Sequence, residues 1–229
     1  MTNHETVFVI DFGAQYAQLI SRRVREAQVF CKIVPYHRAL EAVKAERPKA
    51  LIFSGGPASV YADKAPRIEK EIFELGVPIL GICYGVQITA FTLNGKVEKQ
   101  DRREYGSAVI EVVEPNALLA GIGDHTDVWM SHGDALTAPP PGFKVLARTP
   151  SCPLAAIGDP VRRIYGVQFH PEVTHTPKGR QILRNFLYDV AGCKGDWRMS
   201  SFIETQVRSI RERVGDGRVI LGLSGGVDS

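Results

Sequence analysis

The chain has 229 residues, 44% of them hydrophobic and 23% charged, which is the composition of an ordinary globular protein rather than of a disordered chain. Its net charge of +3 is too small to indicate nucleic-acid binding, and its longest apolar runs are far shorter than the ~20 residues that span a bilayer. Residues 1–6 show neither the basic nor the apolar segment of a secretory signal. We therefore expect no nucleic-acid partner, no membrane partner and a cytoplasmic location.

Short apolar runs alternate with amphipathic stretches over the first 93 residues. Strands are predicted over residues 6–10, 29–34, 50–53 and 78–82. Helices are predicted over residues 14–27, 37–46, 67–75 and 84–93. Because these strands are continuously apolar and are separated by helices, they predict a mostly parallel central sheet with helices on both faces.

From about residue 96 the pattern changes to strands and turns. Strands are predicted over residues 107–113, 126–130, 144–148, 154–158 and 163–169, followed by a helix over 177–190. The sequence thus predicts an α/β fold with an added strand-rich region, in one domain over residues 1–191.

A second, incomplete unit is predicted after that domain. A glycine-containing linker over residues 192–199 leads to a helix over 200–214 and a strand over 218–223. Since a strand and a loop are too little for a domain, we expect residues 200–229 to be the truncated start of another domain.

Cys83 is the strongest candidate for a nucleophile. It stands between a predicted strand and a predicted helix, with Gly81 and Gly85 two residues to either side. This is the pattern of a nucleophile elbow, in which a sharp turn leaves no room for side chains at the two flanking positions. The following helix would point its amino-terminal dipole at the sulfur and favour the thiolate. The alternative is a buried structural cysteine, a common fate of that residue.

His170 is the candidate base for this nucleophile, and Glu172 is its candidate orienting carboxylate. Both follow a predicted strand, and side chains two residues apart in an extended segment share one face. A carboxylate on one ring nitrogen would fix the tautomer while the other nitrogen exchanges a proton with the sulfur. The alternative is a histidine with a purely structural role. No closely spaced cysteine and histidine cluster indicates a metal, so no metal site is expected.

The turn formed by Ser54, Gly55, Gly56 and Pro57 follows the third predicted strand. Acyl transfer needs backbone donors beside the nucleophile, and the amide that follows Cys83 is one candidate. The paired glycines could bring a second donor close, although the same residues would also suit an ordinary turn.

The stretches G-I-C-Y-G-V-Q, S-G-G-P and H-P-E, in this order, resemble the class I glutamine amidotransferases. The resemblance implies that Cys83 attacks the side-chain amide of glutamine to form a thioester, with His170 as base and acid and Glu172 orienting it. It implies no cofactor for this hydrolysis. The backbone amides of Gly56 and Tyr84 would form the oxyanion hole. The residues implied in substrate binding are Gln87, Ser131, His132, Gly133 and Asp134. Val86 replaces the usual methionine of the family, a change expected to affect packing only.

The end of the chain resembles the pyrophosphate-binding loop of ATP pyrophosphatase domains. The residues implied in ATP binding are Ser224, Gly225, Gly226, Val227, Asp228 and Ser229. Together with the segments 11–16, 129–134 and 170–176, this ending implies that the ammonia is used in an ATP- and Mg²⁺-dependent conversion of XMP to GMP. The partner would be an ATP pyrophosphatase domain, in a parent enzyme expected to be a homodimer. Two alternatives stay open: an amidotransferase of another pathway, such as anthranilate or CTP synthesis, and a non-catalytic regulatory domain.

Overall fold

A computed structural model describes residues 4–222 of the chain. Its strands are β1 (Thr6–Asp11), β2 (Phe30–Pro35), β3 (Ala50–Phe53), β4 (Ile79–Ile82), β5 (Lys96–Val112), β6 (His125–Ala138), β7 (Lys144–Arg148), β8 (Ala156–Asp159) and β9 (Ile164–Val167). Within the described range these strands form one sheet in the order β2-β1-β3-β4-β9-β8-β7-β5-β6.

The helices over residues 17–26 and 179–185 pack on one face of this sheet, and those over residues 39–46 and 84–92 pack on the other. The α-helices are α1 (Ala17–Glu26), α2 (Ala39–Glu46), α3 (Tyr84–Thr92), α4 (Gly179–Asn185) and α5 (Met199–Val214). The shorter helical turns are the 3₁₀ turns Tyr36–Arg38 and Lys70–Glu74 and the π turn Phe186–Val190. None of the helices in the described part of the chain is long and apolar enough to cross a bilayer.

The first half of the sheet is parallel, because β2, β1, β3, β4 and β9 all run in one direction. Alternate side chains of β1 enter two separate cores: Val7 and Val9 pack on one face, and Phe8 and Ile10 pack on the other. A strand buried on both faces has no solvent side, which explains the unbroken apolar runs in the sequence. The predicted α/β fold class is confirmed.

The second half of the sheet is antiparallel, with pairs β9–β8, β8–β7, β7–β5 and β5–β6. Strands β5 and β6 have 17 and 14 residues and are much longer than the predicted strands in these regions. They form a two-stranded extension at the edge of the sheet, so the strand-rich addition continues the central sheet rather than forming a separate one.

Two predicted elements differ in the structure. Only the 3₁₀ turn Lys70–Glu74 forms within the helix predicted over 67–75, because the residues before it are held by contacts elsewhere. The Tyr84 hydroxyl donates to the carbonyl of Pro66 at 2.6 Å, and the Arg67 guanidinium lies 4.5 Å from the centre of the Phe91 ring. The strand predicted over 218–223 is not formed over residues 218–222, which are exposed and pair with no other strand. Extended backbone needs such a neighbour to become a strand.

The segment predicted as a linker packs against the first domain. The side chains of Cys193 and Trp197 are buried, the amide of Lys194 donates to Glu5 Oε2 at 2.7 Å, and the amide of Trp197 donates to the carbonyl of Gln28 at 3.0 Å. The domain boundaries proposed from the sequence stay predictions, but this stretch is fixed to the residue before β1 and to the turn between α1 and β2.

Candidate active site

Cys83 lies at the turn between β4 and α3 with φ 52° and ψ −107°, a left-handed backbone conformation that is strained for a residue with a side chain. The turn needs both flanking glycines. A Cβ atom on Gly81 would lie 2.6 Å from the backbone of Gly85, and one on Gly85 would lie 2.4 Å from the carbonyl oxygen of Phe53. The sulfur is thereby held at the carboxyl end of a central strand, where the following helix begins.

The ring of His170 meets this sulfur above Gly55. A Cβ atom at Gly55 would lie 3.3 Å from His170 Cε1 and 3.7 Å from Cys83 Cβ. On its other side, His170 Nδ1 lies 2.8 Å from Glu172 Oε1, and both side chains are buried. Burial opposes a charge on the ring, but the interactions with the Cys83 sulfur and the Glu172 carboxylate outweigh it and raise the pKa of His170 to about 10. The imidazole is therefore protonated at neutral pH.

The stretch around His170 is fixed by its own hydrogen bonds. The amide of His170 donates to the carbonyl of Trp129 at 2.9 Å, and the Thr176 hydroxyl donates to the carbonyl of His170 at 2.7 Å. Arg23 Nε donates to the carbonyl of Glu172 at 2.9 Å. The ring of Tyr16 packs edge-on against the His170 ring at 5.6 Å. The sequence reasoning missed Arg23 and Tyr16, since neither is near the pair along the chain.

Gly56 and Tyr84, the predicted oxyanion donors, come together as neighbours. A Cβ atom on Gly56 would lie 2.9 Å from the carbonyl of Phe12 and 3.3 Å from Tyr84 Cγ, so no larger residue fits there. The Ser54 hydroxyl accepts a hydrogen bond from the Phe12 amide at 3.1 Å and ties this turn to the end of β1. This arrangement packs Gly56 against the ring of Tyr84, the residue that follows Cys83.

The other wall of the site comes from β6. The Ser131 carbonyl lies 3.5 Å from the Cys83 sulfur, and Gln87 Nε2 donates to the Asp134 carbonyl at 2.6 Å. A cavity of about 680 Å³ lies between Cys83 and this part of β6. Its lining includes all five predicted substrate-binding residues, the predicted nucleophile and one predicted oxyanion donor: Gln87, Ser131, His132, Gly133, Asp134, Cys83 and Gly56.

An interruption of the β5–β6 ladder shapes this wall. Lys99 pairs with Asp134, and Glu104 pairs with His132, so residues 100–103 face Gly133 alone. A bulge of this kind leaves backbone groups out of the ladder and bends the strand, which makes them available to a ligand. The single-sequence pattern gives no signal for such a bulge.

His132 is buried beside this bulge, and its Nε2 lies 3.1 Å from Glu104 Oε2. The contact has ion-pair distance but not hydrogen-bond geometry: within the described range, neither ring nitrogen has a hydrogen-bond partner. Burial lowers the pKa of His132, and the nearby Glu104 carboxylate opposes this effect only in part. The Ser151 hydroxyl donates to Glu104 Oε1 at 2.7 Å and holds the carboxylate in place.

The sequence predicted no metal site, yet the fold brings Glu104, His132 and Cys152 together. Their potential ligand atoms all lie within 4.8 Å of one another. Burial, with the Glu104 charge nearby, raises the pKa of the Cys152 thiol to about 12, so this sulfur keeps its proton at neutral pH. The three residues come from β5, β6 and the β7–β8 turn, which is why no short spacing revealed them.

The predicted ATP-binding residues lie outside the described residues. These are Ser224, Gly225, Gly226, Val227, Asp228 and Ser229. Their role stays a prediction.

Comparisons with known proteins point to one family. A family model described as glutamine amidotransferase class-I matches residues 8–190. Two proteins named "GMP synthase [glutamine-hydrolyzing]" are 54% identical over 99% of this chain (Acetivibrio thermocellus) and 55% identical over 98% of it (Clostridium novyi). The chain spans 44% of the length of each of these relatives.

Solved structures agree with this result. A crystal structure described as one subunit of a GMP synthase, from Thermoplasma acidophilum, matches 90% of this chain and all of its own, with a TM-score of 0.70 and 27% identity. A glutamine amidotransferase from Thermotoga maritima matches 82% of this chain and 99% of its own with a TM-score of 0.65, and at 19% identity it supports the fold alone.

Proposed function

This chain belongs to the class I glutamine amidotransferase family, and from that premise we propose that it hydrolyses glutamine at Cys83 to release ammonia for the conversion of XMP to GMP. The family membership also favours the amidotransferase over a non-catalytic regulatory domain. The high identity to proteins named GMP synthase favours this pathway over anthranilate or CTP synthesis.

The observation that carries the proposal is the meeting of Cys83 and His170. The two residues are 87 positions apart, but β4 and β9 are neighbouring parallel strands, and each residue follows the carboxyl end of one of them. That edge of a parallel sheet is where ligands bind in open α/β folds. Glu172 completes the group on the far side of the imidazole.

The geometry supports a two-step hydrolysis. The Cys83 sulfur attacks the side-chain amide carbon of glutamine, and the amides of Gly56 and Tyr84 stabilise the negative oxygen of the tetrahedral intermediate. His170, protonated at neutral pH, gives its proton to the departing nitrogen, so that ammonia leaves and a glutamyl thioester remains. The now neutral ring then takes a proton from water, which cleaves the thioester to glutamate and restores the sulfur.

The rest of the reaction is proposed for a longer protein. In that protein, an ATP pyrophosphatase domain would use ATP, Mg²⁺ and the released ammonia on XMP, in a cytoplasmic homodimer. The support is the naming of the relatives, of which this chain spans 44%, and the resemblance of residues 224–229 to a pyrophosphate-binding loop.

The test uses the chain with L-glutamine and with a chloroketone analogue of glutamine. We expect release of equal amounts of glutamate and ammonia, loss of that release in Cys83→Ala, and an adduct on Cys83 by peptide mass spectrometry. An adduct on Cys31 or Cys152 instead would overturn the site. Neither glutamate release nor any adduct, in a chain shown to be folded by circular dichroism, would overturn the function.

A further inference from the structure

The cavity beside Cys83 carries charges of both signs. Asp134 lines it, and its Oδ2 is buried without a hydrogen-bond partner among the described residues. Lys99 and Arg103 line the same cavity. Free glutamine is a zwitterion, with an ammonium and a carboxylate on one carbon atom, so a site of mixed charge suits it better than a neutral pocket.

Arg103 is placed opposite the segment that holds the substrate. It is the last residue of the bulged stretch 100–103, and its side-chain stem passes over Gly133: Cγ, Nε and Cδ would lie 3.6, 3.7 and 3.8 Å from a Cβ atom there. Among the side chains that the structure describes, which do not include those of residues 101 and 102, no hydrogen bond or ion pair engages its guanidinium, and the residue is exposed. The group is therefore accessible from the cavity.

The spacing along β6 fits the length of glutamine. The Ser131 carbonyl is 3.5 Å from the Cys83 sulfur, and Gly133 lies two residues further, about 6.6 Å in an extended strand. In glutamine, three carbon atoms separate the side-chain amide carbon from the carboxylate. When the amide carbon of glutamine lies at the sulfur, the carboxylate therefore lies near Gly133, where the stem of Arg103 passes over the strand.

We propose that Arg103 binds the α-carboxylate of glutamine and thereby selects the free amino acid as substrate. The inference rests on the proposed glutaminase function. Arginine suits this task because its planar guanidinium can donate two parallel hydrogen bonds to one carboxylate, whereas a lysine such as Lys99 offers a point charge.

The experiment removes the charge from the enzyme and from the substrate in turn. Ammonia release is measured for the wild-type chain, Arg103→Ala, Arg103→Lys and the matched control Lys99→Ala, each with L-glutamine and with 4-aminobutanamide, which is glutamine without its α-carboxylate. All variants change exposed side chains, and circular dichroism with thermal melting checks their folding. Because a charge-assisted hydrogen bond is at stake, we expect Arg103→Ala to lower kcat/KM for glutamine by about ten- to a hundredfold, mainly through KM.

The deciding measurement is whether the loss of Arg103 from the enzyme changes the preference for a substrate that carries the α-carboxylate. We expect the wild type to prefer glutamine strongly over 4-aminobutanamide, Arg103→Ala to lose most of that preference, Arg103→Lys to keep part of it, and Lys99→Ala to keep nearly all of it. An equal loss on both substrates in Arg103→Ala, or a lost preference in Lys99→Ala instead, would overturn the assignment while leaving the glutaminase function intact. A folded wild type that releases no ammonia from glutamine would remove both proposals together.

Discussion

Two histidine–glutamate pairs flank the cavity, one after the parallel strand β9 and one across the antiparallel strands β5 and β6. In the first pair, His170 Nδ1 and Glu172 Oε1 are 2.8 Å apart in hydrogen-bond geometry, and the pKa of the imidazole is raised to about 10. In the second pair, His132 Nε2 and Glu104 Oε2 are 3.1 Å apart without that geometry, and the pKa of His132 is lowered.

The difference shows that residue type alone does not set the charge of a buried histidine. Both rings lose hydration on burial, which disfavours the imidazolium. For His170, the sulfur of Cys83 adds a second favourable partner to the carboxylate, and together they overcome this cost. For His132, burial lowers the pKa by more than the Glu104 carboxylate raises it, and the nearby charge of His170 lowers it further. The first ring is therefore suited to giving a proton, and the second to staying neutral and supporting β6.

The largest expected effect separates the two histidines by activity. His170→Ala should lower kcat by roughly 10²–10⁴-fold, because proton transfer to the departing ammonia is lost. His132→Ala should mainly raise KM for glutamine, by about fivefold, since the segment proposed to bind glutamine loses packing but no proton is transferred there. Steady-state glutamate release by the two variants measures both parameters. A loss of kcat in His132→Ala as large as that in His170→Ala would break the comparison.

Substitution of the two carboxylates should likewise lower kcat in the first pair and not in the second, but by less than substitution of the histidines. Glu172→Gln keeps the shape of the side chain yet removes the charge that orients His170, so we expect a fall in kcat on the order of tenfold to a hundredfold, smaller than in His170→Ala. Glu104→Gln should leave kcat nearly unchanged. The pH–rate profile sharpens the test, because only Glu172→Gln should shift its alkaline limb toward lower pH. The reverse order of the two variants would contradict the orienting role of Glu172.

The smallest expected effect is on the free energy of unfolding. The pH dependence of this energy has opposite directions for the two histidines. The pKa of His170 in the folded chain, about 10, exceeds the ~6.5 of an unfolded histidine, so its contribution is complete below about pH 6.5 and is lost as pH rises toward 10. The pKa of His132 is lowered on folding, so its contribution is lost as pH falls below about 6.5.

Melting temperatures across pH 5–10 test these signs. His170→Asn should flatten the alkaline decline of Tm, and each kcal/mol of linked stability that is removed shifts Tm by roughly 2–4 °C in a chain of this size. His132→Asn should flatten the acid decline instead. The slopes matter rather than the absolute Tm, which either substitution can lower. An unchanged alkaline slope in His170→Asn would show that this ring does not gain its proton on folding.

Local patterns were enough to predict much of the fold. The buried strands of the parallel half and the helices α1 and α3 follow from apolar runs and helical periods, and their ends differ from the predicted ones by at most three residues. The failures have tertiary causes. Contacts from Tyr84 and Phe91 hold residues 66–67, so that only a 3₁₀ turn forms after them. Residues 218–222 have no strand beside them among the residues that the structure describes.

In the candidate active site, the sequence by itself determined those features that depend on a few consecutive residues. Gly81 and Gly85 permit the strained turn at Cys83. His170 and Glu172 do meet, but through a turn at residues 171–172 that follows β9 rather than through the extended segment that the sequence predicts. These features depend only on backbone sterics within a few residues.

Only the tertiary structure decided which distant groups meet. The parallel pairing of β4 with β9 brings His170 to Cys83, and the bulge in β5 brings Arg103 and Glu104 to β6. The tertiary structure also determines the charges of His170 and His132, because a pKa depends on burial and on neighbours from other strands. No spacing along the chain encodes these contacts, since they result from strand order and register.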